Sequence, residues 1–214
     1  MDIEKRVDDL IEKMTLREKI GQLNQVSGNI DKAALLKLIK EGKVGSVIMA
    51  SSCFAGNDES AVAGTDYYEE LQKTAVNESR LGIPIIFGRD VIHGHHTVFP
   101  LPLAMANSFN DGLVERAYRD IAREAALDHI QWTFTPMLDI SRDPRWGRCV
   151  EGPGEDPYLG ARMAAAAVKG IQGKNLSDAD SIAACAKHYI GYGAAEGGRD
   201  YPVSYTHLRA HETL

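Results

Sequence analysis

Polar residues able to do chemistry gather directly behind apolar runs. Arg89-Asp90 follows Ile83–Phe87, a group from Asp139 to Arg148 follows Trp132–Leu138, and Lys187-His188 follows Ile182–Ala186. Carboxylate, guanidinium, ammonium and imidazole side chains with Trp and Tyr nearby suit a neutral polyhydroxylated ligand. The carboxylate accepts hydroxyl hydrogen bonds, Lys and Arg donate them, and an aromatic ring covers the apolar face of a sugar. Any one of these charges alone reads more readily as a loop ion pair; three clusters on one rim argue for a site.

Two further groups carry weaker signals. His93-Gly94-His95-His96 has metal-ligating side chains but no carboxylate or cysteine at an accompanying helical spacing, so the expectation is ordinary loop hydrogen bonding and no metal. Gly94 and Thr97-Val98-Phe99-Pro100 read as a turn into a buried strand. Glu151, Glu155 and Asp156 could form a catalytic pair, or could neutralise Arg145 and Arg148 and cap the next helix. Asp156-Pro157 is a cap followed by proline in the first turn, which favours the structural role.

The elements that must position these residues alternate. Ile3, Val7, Leu10, Ile11 and Met14 follow helical spacing, and Thr15 with Glu18 fits a capping box opening a second helix through Leu23. Asp31 caps a helix with Leu35, Leu36 and Ile39 on one side, ended by Gly42. Strands are expected at Val44–Ala50, Ile83–Phe87, Trp132–Leu138 and the apolar run Ser181–Ala186. A loop is expected from Ser51 to Gly64, and helices over 66–80, from Asn110 or Asp111, and from Asp156 to Gly173. Alternating helix and strand predicts an α/β fold with a parallel sheet, either barrel or open doubly wound. The carboxyl ends of such strands share one side, where these folds place their chemistry. No Gly-x-Gly-x-x-Gly follows a strand, which sets aside a dinucleotide-binding version.

Composition narrows the classes. Twenty-four Lys plus Arg against 30 Asp plus Glu give a net charge of −6 over 214 residues, which argues against a nucleic-acid partner. Hydrophobic residues at 44% provide enough apolar surface to order the chain, which argues against disorder. No run of about 18 uncharged apolar residues exists, so no membrane span is expected. Cys53, Cys149 and Cys185 are odd in number and far apart, and read as reduced thiols packed as small hydrophobes. Met1-Asp2-Ile3-Glu4-Lys5-Arg6 lacks an apolar h-region, so the chain as written is expected in the cytoplasm.

The ordered motifs resemble the N-terminal domain of glycoside hydrolase family three, bacterial β-glucosidases in particular. They are Met14 to Leu23, Gly88-Arg89-Asp90-Val91-Ile92-His93-Gly94, Thr97-Val98-Phe99-Pro100, Asp143-Pro144-Arg145-Trp146-Gly147-Arg148, Glu151 to Pro157, Lys187-His188-Tyr189, Gly191-Tyr192-Gly193-Ala194, and Glu196 to Tyr201. The resemblance implies a (β/α)8 TIM-barrel-like fold, here incomplete with roughly the first five strands. It implies a retaining two-carboxylate mechanism without cofactor, acting on terminal non-reducing β-D-glucosyl residues. It also implies that Asp90, Arg148, Lys187 and His188 hold the hydroxyls of the terminal sugar, Asp90 as ligand rather than nucleophile. The Lys187–His188 peptide is expected to be cis. The β-N-acetylhexosaminidase branch carries Lys-His-Phe-Pro-Gly-His-Gly-Asp at this place; Lys187-His188-Tyr189-Ile190-Gly191-Tyr192-Gly193 points to the glucosidase or xylosidase branch.

Two departures shape the expectation. The family's nucleophile lies in a Ser-Asp-(Trp/His) motif; Ser177-Asp178 is followed by Ala179 in a polar loop ahead of Lys187-His188, so no catalytic residue is assigned here. Residues 1–201 therefore read as the N-terminal part of a family-three barrel lacking the rest of its parent chain, and 202–214 as a non-family tail, artefactual or disordered. The fragment is expected to be inactive, and its parent to be periplasmic or secreted. The alternatives are a β-xylosidase or exo-glucanase fragment, or a non-catalytic sugar-binding module.

Overall fold

The structure is a computed structural model describing residues 2–49, 64–189, 191–195 and 197–198. All of the expected loop from Ser51 to Gly64 except its last residue, Cys53 within it, and the tail from Pro202 lie outside the described residues. The chain divides into two compact units. One runs to Asp90 and takes in Asp128–Trp132; the other joins Val91–Leu127 to the residues from Thr133 onward.

The first unit opens with α1 (Ile3–Lys13), whose N-cap Asp2 accepts the Glu4 amide. Thr15 and Glu18 then form the expected capping box over α2 (Leu16–Gln22), with Thr15 N donating to Glu18 Oε2 at 2.8 Å and Glu18 N to Thr15 Oγ1 at 3.3 Å. Glu18 also receives Arg80, whose Nε donates to Oε1 at 2.8 Å while Nη2 reaches the Lys13 carbonyl at 2.8 Å. The Arg80 guanidinium thus ties the end of α1 and, through Glu18, the start of α2 to the segment before β3. Three strands follow, β1 (Gln25–Ser27), β2 (Ser46–Ile48) and β3 (Ile86–Arg89), paired parallel in that order, with Val26 opposite Val47 and Val47 opposite Phe87. Parallel neighbours need crossovers, supplied by α3 (Lys32–Lys40) and α4 (Thr65–Glu78). Leu35, Val47, Leu71 and Phe87 are almost fully buried, and Tyr68 meets Phe87 edge-on at 4.9 Å. β4 (Trp132–Thr133) comes next in the sheet order.

The second unit is built on α6 (Asp111–Leu127) and α7 (Pro157–Gln172), preceded by a short α5 (Pro102–Ala106). Asn110, not Asp111, caps α6, its Oδ1 accepting the Leu113 amide at 3.0 Å. Asp156 caps α7 by accepting Leu159 N at 2.8 Å, with Pro157 in the first turn, as expected. The two long helices approach where Gly170 faces Glu115; a Cβ there would stand 2.3 Å from the Glu115 carbonyl oxygen. Val114, Tyr118, Ile121, Met163, Ala167, Ile171 and Ile182 are buried in this unit.

The structure corrects several expectations. Trp132–Leu138 is a strand only over its first two residues, because Pro136 has no N–H to give to a ladder. The chain beyond still runs parallel beside the Ser181–Ala186 segment, through Thr133 N to Ala183 O (2.9 Å), Cys185 N to Thr135 O (2.9 Å) and Leu138 N to Lys187 O (2.7 Å). That segment forms no strand of its own; Lys187 just after it bridges Met137. β3 starts two residues after Pro84, later than expected, for the same lack of a donor. Thr97–Pro100 is no buried strand: Val98 is 73% exposed and meets Gly94 in one antiparallel bridge. The short β1 and α5 are additions to the reading. No helix among the described residues is long and apolar enough to cross a membrane.

Arg80, with the Thr15 amide and hydroxyl, holds the Glu18 carboxyl down at about 2. The folded value lies below the ordinary carboxylate range of ~4.3, so the charged form stabilises the fold above that range, and this contribution fades as pH falls toward 2. Urea midpoints taken at stepped pH should therefore fall more steeply on acidification in the wild type than in Glu18→Gln. Parallel acid profiles would contradict this role for Glu18.

Candidate functional site

The second unit carries the densest convergence of candidate residues. Asp139, with its side chain only 3% exposed, accepts two bonds from His188 on one oxygen: the backbone N–H at 3.1 Å and ring Nδ1 at 2.8 Å. The imidazole meets the Tyr192 ring edge-on at 4.6 Å, and Tyr192 meets Trp146 at 5.3 Å. Trp146 is 1% exposed and packs with Met137 and Ala195. The guanidinium of Arg148 lies 5.4 Å from the centre of the same Tyr192 ring. Tyr192 reaches this place on the turn Tyr192–Ala194, where Gly193 passes so close to Ile140 that a Cβ would stand 2.3 Å from its carbonyl oxygen.

Arg148 is also gripped from below. Its Nε and Nη2 donate to the two oxygens of Glu151 at 2.8 and 2.7 Å, the planar fork matching the carboxylate. Glu151 first, then Tyr192, raise its already high pKa, so it is a fixed cation. Glu151 therefore neutralises Arg148, as the sequence reading favoured. Arg145 is neutralised by Asp143 instead, bidentate at 2.9 and 2.6 Å, and this guanidinium holds the Asp143 carboxyl well below the usual range. Asp143 also accepts the Gly197 amide at 2.9 Å, fastening the segment after Tyr192 to the loop bearing Arg148.

Arg148 and His188 thus share one aromatic ring, and Lys187 precedes His188 across a cis peptide. Asp90 belongs to the first unit: half-buried, it follows β3 directly. Its neighbour Arg89 is 2% exposed, with Nε and Nη1 finding no acceptor among the described residues. The His93 region behaves as a loop. His93 Nδ1 pairs with the Phe99 carbonyl at 2.7 Å, and Glu124 of α6 accepts the amides of His96 and Thr97 at 3.1 and 2.8 Å.

A cavity of about 400 Å³ is lined by Asp139, Arg142, Lys187, His188 and Tyr189. A larger one, about 850 Å³, lies along Phe109, Arg142, Cys149 and the start of α7 and includes neither Lys187 nor His188. The smaller is the candidate site because the converging polar groups are there. Sequence reasoning put Asp139 at the head of a polar cluster and Tyr192 in a motif but gave neither a role. The position of Asp139 behind the Trp132–Leu138 run was the available signal.

The family described as "Glycosyl hydrolase family 3 N terminal domain" matches residues 15–212. The chain belongs to glycoside hydrolase family 3. It is 44% identical over 197 residues to a periplasmic beta-glucosidase of Salmonella typhimurium, covering 91% of this chain and 24% of that protein. It is 32% identical over 201 residues to a beta-xylosidase/alpha-L-arabinofuranosidase of Medicago sativa, covering 90% and 22%. Among solved structures it resembles the beta-glucosidase of Listeria innocua. With isofagomine bound, that protein matches at 40% identity and TM-score 0.76, covering 92% of this chain and 27% of that one. Its glucose complex matches at 38% identity and TM-score 0.75, covering 92% and 28%. The chain spans about a quarter of the length of these curated relatives. The family 3 fold is α/β and TIM-barrel-like, and the described strands form an open parallel part of it.

Trp146 underlies the ring that both Arg148 and His188 touch. Trp146→Ala should cost about 3–5 kcal/mol in urea unfolding, the range for emptying a buried large aromatic. A loss below about 1 kcal/mol would show that the site rests on other contacts.

Proposed function

We propose that this family 3 chain supplies the hydroxyl-binding part of a β-glucosidase-type exo-glycosidase, with Asp90, Arg148, Lys187 and His188 holding the terminal non-reducing glucosyl residue. The observation that carries the reading is the placing of Arg148 and His188 on one Tyr192 ring beside the cavity that includes Lys187. A fixed guanidinium and an ammonium donate to sugar hydroxyl oxygens, and Asp90 accepts hydroxyl protons. Tyr189, 96% exposed beside His188, offers an aromatic face for the apolar side of a pyranose. The binding of glucose and isofagomine by the Listeria innocua relative supports a β-glucoside as substrate.

Hydroxyl contacts of this kind assist hydrolysis when they tighten as the ring flattens toward an oxocarbenium-like transition state. In a retaining mechanism one carboxylate attacks the anomeric carbon while a second protonates the leaving oxygen, then activates water to release the sugar. Neither carboxylate is assigned to this chain, since Ser177-Asp178-Ala179 does not match the family's nucleophile motif. The Salmonella relative's name supports a periplasmic or secreted setting for the whole protein. The Medicago relative favours β-xylosidase as the second reading; a pentose lacks the 6-hydroxyl, so comparing xylose with glucose separates the two.

Calorimetric titration of the 214-residue chain tests the site. Glucose should bind, and Asp90→Asn or Arg148→Met should weaken it about tenfold or more, as losing a charged hydrogen bond does. The same chain should release no aglycone from an aryl β-glucoside. Glucose affinity unchanged in both variants would remove these residues from the subsite, and turnover by the wild-type chain would refute the assignment of no catalytic carboxylate.

A further inference from the structure

The Asp139–His188 contact has chemical content beyond packing. Asp139 is nearly excluded from solvent, and its Oδ2 faces two nitrogens of the same residue, the His188 amide at 3.1 Å and Nδ1 at 2.8 Å. The amide can only donate. A carboxylate presents no proton of its own, so Nδ1 must also be the donor. A neutral imidazole carries a single N–H, and once Nδ1 holds it Nε2 is left with a lone pair. The Tyr192 ring stands edge-on to the imidazole at 4.6 Å, braced in turn by buried Trp146, so the ring has a wall as well as a tether.

We propose that Asp139 is a positioning residue that fixes His188 as the Nδ1–H tautomer and so makes Nε2 an acceptor for a ligand hydroxyl. Lys187, the next residue along the same cavity, can only donate. The pair therefore presents opposite polarities side by side, a donor at Lys187 and an acceptor at His188. A vicinal diol satisfies both at once, one hydroxyl accepting from the ammonium and its neighbour donating to the imidazole. A group that accepts but carries no proton, such as fluorine or a methyl ether, leaves Nε2 unmatched. The assignment to a sugar rests on the function proposed above; the tautomer and its dependence on Asp139 do not.

Nitrogen-15 NMR of the intact chain with labelled histidine decides the matter, read at about pH 9 where an ordinary imidazole is neutral. His188 should show a protonated Nδ1 and a lone-pair Nε2, and Asp139→Ala should move it toward the Nε2–H form. A wild-type His188 protonated on Nε2 overturns the proposal without any variant, and so does a tautomer unaltered in a folded Asp139→Ala chain. Asp139→Asn, which keeps a carbonyl acceptor, should retain more of the Nδ1–H form than Asp139→Ala. Deoxy and fluoro analogues of glucose, replaced one hydroxyl at a time, then address the ligand. At the position facing His188 both should bind about tenfold more weakly than glucose, the cost of leaving one hydrogen bond unmade. A fluoro analogue that binds as glucose does at every position would overturn the acceptor role. A chain that binds no glucose at all would instead refute the sugar reading, while the nitrogen shifts would still decide the role of Asp139.

Discussion

The candidate site depends on one aromatic ring being held still. Tyr192 is touched by Trp146 and Arg148 from one loop of the second unit and by His188 from another segment. None of these contacts is worth much alone, about 0.5–1.5 kcal/mol for an aromatic pair and a similar amount for a partly exposed cation over a ring. Together they fix the distance between a guanidinium and an imidazole that are 40 positions apart in sequence. Tyr192 reaches them because Gly193 has no side chain to strike the Ile140 carbonyl. A methyl group at that point would push the turn away and separate the two polar groups.

Charge around this ring is balanced locally rather than across the molecule. Glu151 answers Arg148 and Asp143 answers Arg145, while Asp139 holds His188 through two hydrogen bonds. Each acid lies within a loop that also bears or directly precedes the candidate residues, and each pair is held by two bonds rather than one. Arg148 is thereby neutralised without being covered, its side chain still 27% exposed and able to meet a neutral ligand. A sugar hydroxyl can approach Arg148 without breaking its pair with Glu151.

Local signals were the legible part of the sequence. Thr15 with Glu18, Asp156 with Pro157, and the Gly173 stop are each determined by neighbours within one turn, and each stands where it was expected. Long-range pairing was not legible. Gln25-Val26-Ser27 is too short and polar to announce a strand, and it is one because Ser46–Ile48 lies beside it. Val98 looks like the start of a buried run, but Glu124, 27 residues away, ties down the preceding amides and leaves it in solvent. The rim of polar residues behind apolar runs was visible from spacing alone. The roles of Asp139 and Tyr192 were not, because each acts through a partner about 45 to 50 residues distant.

On this reading Arg148 and His188 act together on one sugar ring. Glucose added stepwise to the isotopically labelled chain tests it most directly, with the Arg148 side-chain N–H and the His188 ring signals followed together. Both should shift saturably along a single binding curve, and xylitol at equal concentration, a flexible polyol without a ring, should leave them in place. Signals that stay fixed while glucose binds, or that move with different affinities, would contradict the claim.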